Sequence, residues 1–341
     1  MKFSVPLVLV SLLLTACATN STRSPSSSPG KVAQERRDPF TVVVLPDTQC
    51  YCDIRFAQSA KRWGNGDLRR YFYDQTNWIV ESAARLNTAF VVHEGDIVQA
   101  DYPAEWEVAE DALSRLNGKV PYCLCLGNHD VGVTVNPDGK GYKSGLHRQT
   151  KFDDYFPRSR FEKEDWFGGT FDRTMANAYF LFEESGVDLM VISLEFQPRD
   201  EVLDWAGKVC QENPDRQVII LTHSYLTNKS ERITKKYPVE GNNGEEMWQK
   251  LVSQHANIFM VLCGHAAGDG YLVSEGVHGN PVHQVLCDYQ GRHNGGESWL
   301  RYMTFIPEED RIDVFTYNPS LDTHEKTPNS QFQIEYRMAN R

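Results

Sequence analysis

Phe40-Thr41-Val42-Val43-Val44-Leu45-Pro46 is a continuous apolar run of strand length, and it exits directly into Asp47-Thr48-Gln49. A run without alternation is the pattern of a strand buried on both faces. The same grammar repeats downstream. Trp78, Ile79, Ser82, Ala83 and Leu86 fall at helical spacing, followed by an apolar strand, Ala89 to His93. Ala109, Ala112, Leu113 and Leu116 make a second helical stripe, followed by a strand from Tyr122 to Leu126. This β-α-β-α-β order demands parallel strands joined by right-handed crossovers. After a less regular stretch, Val131 to Asn177, come strands Ala178–Phe182 and Leu189–Ser193 and a helical stripe of Val202, Trp205, Ala206 and Val209. A strand Val218–Thr222, a helix around Met247 to Val252 and a strand Ile258–Cys263 complete the alternation. From Tyr271 onward the pattern predicts short strands and turns with no clear helix.

The chain has 341 residues, 40% of them hydrophobic, with ordinary counts of Gly (24) and Pro (16), which excludes a disordered or collagen-like chain. Its 35 basic and 46 acidic residues give a net charge of -11, so no nucleic-acid scaffold role is expected. The length predicts one large α/β domain over residues 39–341, with an insertion around 131–176, preceded by a tail. Residues 1–16 read as a signal peptide: Lys2, an apolar run from Val5 to Leu14, and a small-residue exit at Leu14-Thr15-Ala16-Cys17. That exit resembles the bacterial lipoprotein box, which implies a lipidated Cys17 and a membrane partner through the lipid. Residues 17–38, with Ser24-Pro25-Ser26-Ser27-Ser28-Pro29-Gly30, read as a flexible tether. Ala18 stands where an inner-membrane retention signal has Asp, so the expected place is the bacterial cell envelope, on the outer membrane facing the periplasm. Of the other cysteines, Cys123, Cys125, Cys263 and Cys287 sit in apolar runs and read as core thiols. Cys50 and Cys52, in an expected loop, are the better disulfide candidates, with at most one bridge.

Polar residues end the apolar strands. The first exits into Asp47, the second into Glu94-Gly95-Asp96, the third into Gly127-Asn128-His129-Asp130, and later ones into His223 and Gly264-His265. In parallel sheets ligands bind beyond the carboxyl ends of the strands. Carboxylate, amide oxygen and imidazole nitrogen together make a divalent-metal ligand set.

These five motifs, in order from Phe40 to Asp269, resemble the calcineurin-like metallophosphoesterase superfamily. The resemblance implies a two-sheet β-sandwich flanked by helices and hydrolysis of phosphate esters at a dinuclear metal centre. It gives Asp96 the role of bridging carboxylate, with Asn128, His223 and His265 completing one seat and Asp47 belonging to the other. His129 resembles the group that steadies or protonates the leaving oxygen, with Asp130 orienting its ring.

Two residues depart from the family pattern. Gln49 stands where a His is usual two residues after the first Asp, and Ala267 replaces the second His of Gly-His-x-His. Both missing imidazoles belong, by resemblance, to one seat. That seat keeps Asp47, Asp96 and the side-chain oxygen of Gln49. The intact seat suits Mn, Zn or Fe; the altered one offers oxygen and suits a more weakly held Mg, Mn or Ca. Unequal occupancy is therefore expected. Asp269, His278 or His283 could supply a substitute ligand, and the sequence selects none of them.

Substrate signals are thinner. Val131 to Phe161 carries Lys140, Lys143, Arg148, Lys151, Arg158 and Arg160, and a second basic cluster follows His223 at Lys229, Arg232, Lys235 and Lys236. Cations near a phosphate site would hold an anionic ester. Tyr155, Phe156, Phe161, Trp166, Phe167 and Phe171 could wall a pocket or pack the insertion down. A phosphate-ester substrate is the leading expectation. The alternative is a binding or scaffold lipoprotein that keeps the fold without turnover. The oligomeric state is open.

Overall fold

The computed structural model describes residues 37–53, 67–135 and 142–338. The signal peptide, Cys17 and the tether up to residue 36 lie outside them, as does Lys140. In chain order, β1 (Phe40–Leu45) leads into a one-turn helix α1 (Gln49–Cys52), then α2 (Arg69–Leu86), β2 (Thr88–His93), α3 (Pro103–Leu113) and β3 (Tyr122–Leu124). The insertion holds a small hairpin of β4 (Thr134–Val135) and β5 (Tyr142–Lys143), a one-turn helix α4 (Phe152–Tyr155) and β6 (Phe167–Thr170). The second half runs β7 (Ala178–Glu184), β8 (Val187–Ser193), α5 (Asp200–Glu212), β9 (Gln217–Leu221), α6 (Gly244–Lys250), β10 (Ile258–Cys263), β11 (Gly268–Glu275) and β12 (Pro281–Asp288). It ends with β13 (Leu300–Ile306), β14 (Arg311–Asn318), β15 (Thr323–Glu325) and β16 (Gln331–Glu335).

Two seven-stranded mixed sheets result. The first has the order β15-β14-β13-β1-β2-β3, with β16 also paired to β14. In it β1, β2 and β3 are parallel, and β13 joins β1 antiparallel. The second runs β11-β12-β10-β9-β8-β7-β6, with β8, β9, β10 and β12 parallel. This is the expected α/β architecture, two sheets flanked by helices.

Side-chain parity explains the layers. On β8, Leu189 and Val191 join the cluster that includes Val42, Val44, Phe90 and Met303 of the first sheet. Their neighbours Met190 and Ile192 point the other way, onto Val202, Leu203 and Ala206 of α5 and Met247 of α6. Successive side chains alternate faces, so a continuous apolar strand must be covered on both. No helix among the described residues is long and apolar enough to cross a membrane.

One expectation is corrected here. Cys50 and Cys52 lie on the buried turn α1, not in a loop, and the seven described cysteines are unbridged. The expected insertion contributes to the sheets, since β6 extends the second sheet beside β7. Its aromatics pack it down: Tyr155 and Phe156 against Trp106 of α3, and Trp166 edge-on against Phe90 of β2.

Candidate metal centre

The carboxyl ends of β1, β2 and β3 and those of β9, β10 and β12 face one another across the sandwich edge, and the chemistry collects there. Asp96 follows β2 with a left-handed φ of 49°, and His265 follows β10 with φ 74°. Such conformations cost a non-glycine residue energy and persist where surrounding contacts fix them. Close packing supplies the fixing. A methyl group on Gly127 would collide with Asp96 Oδ1, and one on Gly264 with Asp47 Oδ1.

The central triad is Asp96, His223 and His265, whose ligand-type atoms all lie within 4.8 Å of one another. Asp96 Oδ2 is 3.2 Å from His223 Nε2, which is itself 3.2 Å from His265 Nδ1. His223 Nδ1 donates to the Glu94 carbonyl at 2.8 Å. A carbonyl can only accept, so in neutral His223 the Nε2 lone pair faces the triad. Burial alone would raise the Asp96 pKa, but the imidazoles of His223, His129 and His265 outweigh it and hold the carboxyl below the usual range. Burial and the neighbouring His223 push His265 down to about 3, so its ring is neutral at pH 7.

Asn128 lies between Gly127 and His129, both packed against Asp96. Its amide nitrogen donates to Ser144 Oγ at 2.9 Å, while its Oδ1 is buried with no hydrogen-bond partner. An orphaned buried amide oxygen on a turn that packs against Asp96 fits a cation. Gln49 carries a second such atom, the buried and unpartnered Oε1. It sits two residues past Asp47, and the intervening Thr48 is pinned by its N–H to the Asp96 carbonyl at 3.1 Å and by its hydroxyl to His93 Nε2 at 2.9 Å. The donor set present thus fits divalent metal.

His129 stands beside the triad. Its main-chain N–H donates to Asp96 Oδ1 at 2.8 Å, and its Nε2 lies 4.0 Å from Asp96 Oδ2. Its orientation differs from expectation. Nδ1 donates to the Gln99 carbonyl at 2.8 Å, and the Gln99 side-chain amide nitrogen lies 3.0 Å from the same atom. The Asp130 carboxylate is taken up elsewhere, accepting the N–H groups of Ile97, Val98 and Gly127 at 3.1, 2.9 and 2.8 Å. Asp130 therefore ties the Asp96 turn to the Asn128 turn rather than steering the ring. Burial and the Asp96 charge push its carboxyl up to about 8.

Asp47 is buried at 1% exposure, accepts the His265 N–H, and is joined by a residue the sequence reading missed. Gln290 Nε2 donates to Asp47 Oδ2 at 3.0 Å and to Asp288 Oδ2 at 2.9 Å. Both distances start at one nitrogen, so the two oxygens are within about 6 Å of each other, where unit charges repel by about 3 kcal/mol at an effective dielectric near 20. Burial, then Asp288 and Asp96, raise the Asp47 pKa; burial pushes Asp288 up to about 6. Asp288 ends β12, the fourth parallel strand of its sheet, as His265 follows β10. The signal was there: an apolar run closing on a carboxylate.

The three substitutes considered from sequence are engaged otherwise. Asp269 pairs with Arg301 at 2.7 Å, His283 bonds Tyr271 Oη at 2.8 Å, and exposed His278 bonds the Gln254 carbonyl at 3.1 Å. Most of the basic clusters are also paired. Arg148 meets Glu195, Lys151 Asp101, Arg160 Glu110, Arg232 Glu245 and Lys236 Glu246. Lys235 differs, since its charge helps hold down the His265 pKa. The aromatic wall comes from outside the expected group: Phe196 and Tyr237 stand edge-on at 5.2 Å, with Tyr237 5.6 Å from His265.

The family model for the calcineurin-like phosphoesterase matches residues 40–269, which contain the triad, Asp47, Asn128 and His129. The chain belongs to that family. A calcineurin-like phosphoesterase domain thus accounts for both sheets' parallel strands up to β10. The uncharacterized protein YvnB of Bacillus subtilis (strain 168) is 32% identical to this phosphoesterase chain over 295 residues, covering 83% of it. The chain spans only 20% of that relative's length. Among solved structures, a purple acid phosphatase (PPD1) from yellow lupin seeds superposes with a TM-score of 0.51 at 13% identity. That likeness, one of fold, covers 88% of this chain and 54% of the other.

Proposed function

We propose that this calcineurin-like phosphoesterase hydrolyses phosphate esters with divalent metal held by Asp96, Asn128, His223 and His265, and by Asp47 and Gln49 on the other side of Asp96. The observation that carries the reading is the convergence of Asp96, His223 and His265 ligand atoms within 4.8 Å, together with the unpartnered buried oxygen of Asn128. Bound divalent cations would supply positive charge for phosphate oxygens and acidify water near neutral pH. The intact seat mixes nitrogen and oxygen and suits Mn, Zn or Fe; the Asp47 side suits Mg, Mn or Ca.

The chain's own groups then have separable tasks. His129, with Nδ1 committed to Gln99, turns Nε2 toward the triad and is placed to give a proton to a departing oxygen. Lys235 adds a positive charge felt at His265, which would favour an anionic ester. Phe196 and Tyr237 limit water on the His265 side.

Chelation followed by metal restoration tests this. An aryl phosphate monoester and the corresponding diester are offered to the chelated chain and to samples given Mn, Zn, Fe, Mg or Ca. The reading expects hydrolysis to vanish on chelation and return with at least one metal. No rate above background on either ester would favour the binding or scaffold role instead.

The place of action we propose is the bacterial cell envelope, through a lipid on Cys17 and the tether that follows it. Support comes from Leu14-Thr15-Ala16-Cys17 and the Ser/Pro segment after it. Cys17→Ser is expected to leave the membrane fraction or accumulate unprocessed; normal membrane retention would contradict the anchor.

A further inference from the structure

Two buried parallel strands of this chain lead into the same short pattern. Asp47-Thr48-Gln49 follows β1 in one sheet, and Asp288-Tyr289-Gln290 closes β12 in the other. The two meet through Gln290, whose single amide nitrogen donates to one oxygen of each carboxylate, at 3.0 and 2.9 Å. Both carboxylates are 1% exposed. Among the described residues neither forms an ion pair with Lys or Arg. Their other donors, the His265 N–H on Asp47 and the Gln290 N–H on Asp288 Oδ1 at 2.8 Å, are neutral as well, and neutral donors are poor compensation for two buried negative charges, which ordinarily require a cation or a proton. Gln49 Oε1, 2% exposed at the residue level and without a partner, adds an oxygen with nothing to accept from.

We propose that Asp288 is a ligand of the second cation seat, completing with Asp47, Asp96 and Gln49 an all-oxygen set for a hard divalent ion, and that Gln290 is the positioning residue that spaces the two carboxylates. The inference rests on the metal-dependent reading above and goes beyond it. The seat that lost two imidazoles, at Gln49 and Ala267, has gained a carboxylate from a strand beyond the matched family region. Exchanging neutral nitrogen for charged oxygen changes the ion preferred, away from Zn and toward Mn, Mg or Ca. It also makes Gln290 more than a structural hydrogen bond. Without its amide the two carboxylates would be free to move apart and the seat would lose its spacing.

The test is a MnCl2 titration of the chelated full chain, reading bound Mn by elemental analysis, affinities by calorimetry and melting temperature throughout. The wild type is expected to bind two Mn, one tightly and one loosely. Asp288→Asn should keep the tight ion and weaken the loose one at least tenfold. Its metal-free form should melt no lower than the wild type, because one of two facing carboxylates has been neutralised. A purely structural Asp288 gives the reverse: a lower melting point without metal and both Mn affinities unchanged. That result, or a single Mn bound by the wild type at millimolar MnCl2, overturns the inference and leaves the metal reading standing. No Mn bound at all overturns the metal reading itself. Should Asp288→Asn fail to fold, Gln290→Ala is read the same way, since Gln290 lies in a partly exposed turn. Its loose ion should weaken several-fold with the tight one unchanged, and two unchanged affinities overturn the proposal.

Discussion

His129 Nδ1 lies 2.8 Å from the main-chain carbonyl of Gln99, a contact in which the ring can only be the donor. The neutral ring therefore keeps its Nε2 lone pair, and the imidazolium its Nε2 proton, on the side of Asp96. Because a backbone carbonyl sets this orientation, no side-chain substitution at position 99 removes it entirely.

His129→Ala is accordingly expected to bind Mn as the wild type does and to hydrolyse an aryl phosphate about 10²–10⁴-fold more slowly. Calorimetry and steady-state kinetics on one preparation check this. Parallel loss of metal and rate would mean that His129 is itself a ligand.

Asp130→Ala addresses the residue whose role the structure changes. Three backbone N–H groups, of Ile97, Val98 and Gly127, lose their acceptor. Burying unsatisfied donors costs about 1–3 kcal/mol, more if all three stay dry. The expected outcome is a lower melting temperature and weaker metal binding, because the Asp96 and Asn128 turns come untied. A merely reoriented His129 would instead alter the pH–rate profile at full stability.

Gly264→Ala tests the tight approach of β10's exit to Asp47. The added methyl meets Asp47 Oδ1. The fold should survive, since the clash is with a side chain at the edge of the core, while the Asp47 side of the centre loses affinity for its ion at least tenfold. Circular dichroism with Mn titration separates the two.

Much of this site was legible in the sequence because one rule governs it: apolar strands ending in polar residues. Asp47, Asp96, Asn128, His223 and His265 were found that way, and the structure brings them to one edge. Asp288 obeys the same rule and escaped because the stretch after Tyr271 reads as short strands without a familiar motif. Gln99 and Asp130 could not be sorted from sequence. Their roles depend on which backbone groups face them, and a turn three residues from Asp96 looks the same whether it holds a ring or a peptide. The basic clusters misled for a related reason, since charge counts do not show that Arg148 already faces Glu195 or Arg232 faces Glu245.

His283, away from the metal centre, supplies a pH signature. It is buried, packs on Tyr271, and burial lowers its pKa to about 4. The unfolded chain takes up this proton near the usual 6.5, so between those values the unfolded state binds more protons and stability rises with pH. The contribution is present above pH 6.5 and lost as pH falls toward 4, up to about 3 kcal/mol. In His283→Gln the drop in melting temperature between pH 7 and pH 5 should therefore be smaller than in the wild type. An unchanged drop would show that His283 does not titrate differently on folding.

The central claim is that hydrolysis depends on metal held by Asp96, Asn128, His223 and His265, and one titration tests it most directly. Chelated protein is given MnCl2 in steps, and aryl phosphate hydrolysis is recorded against bound Mn, with His223→Ala run alongside. The account predicts no rate at zero Mn, a rate that rises with the ions bound, and neither tight Mn nor rate in the variant. Hydrolysis that persists after chelation, or that His223→Ala retains in full, would contradict it.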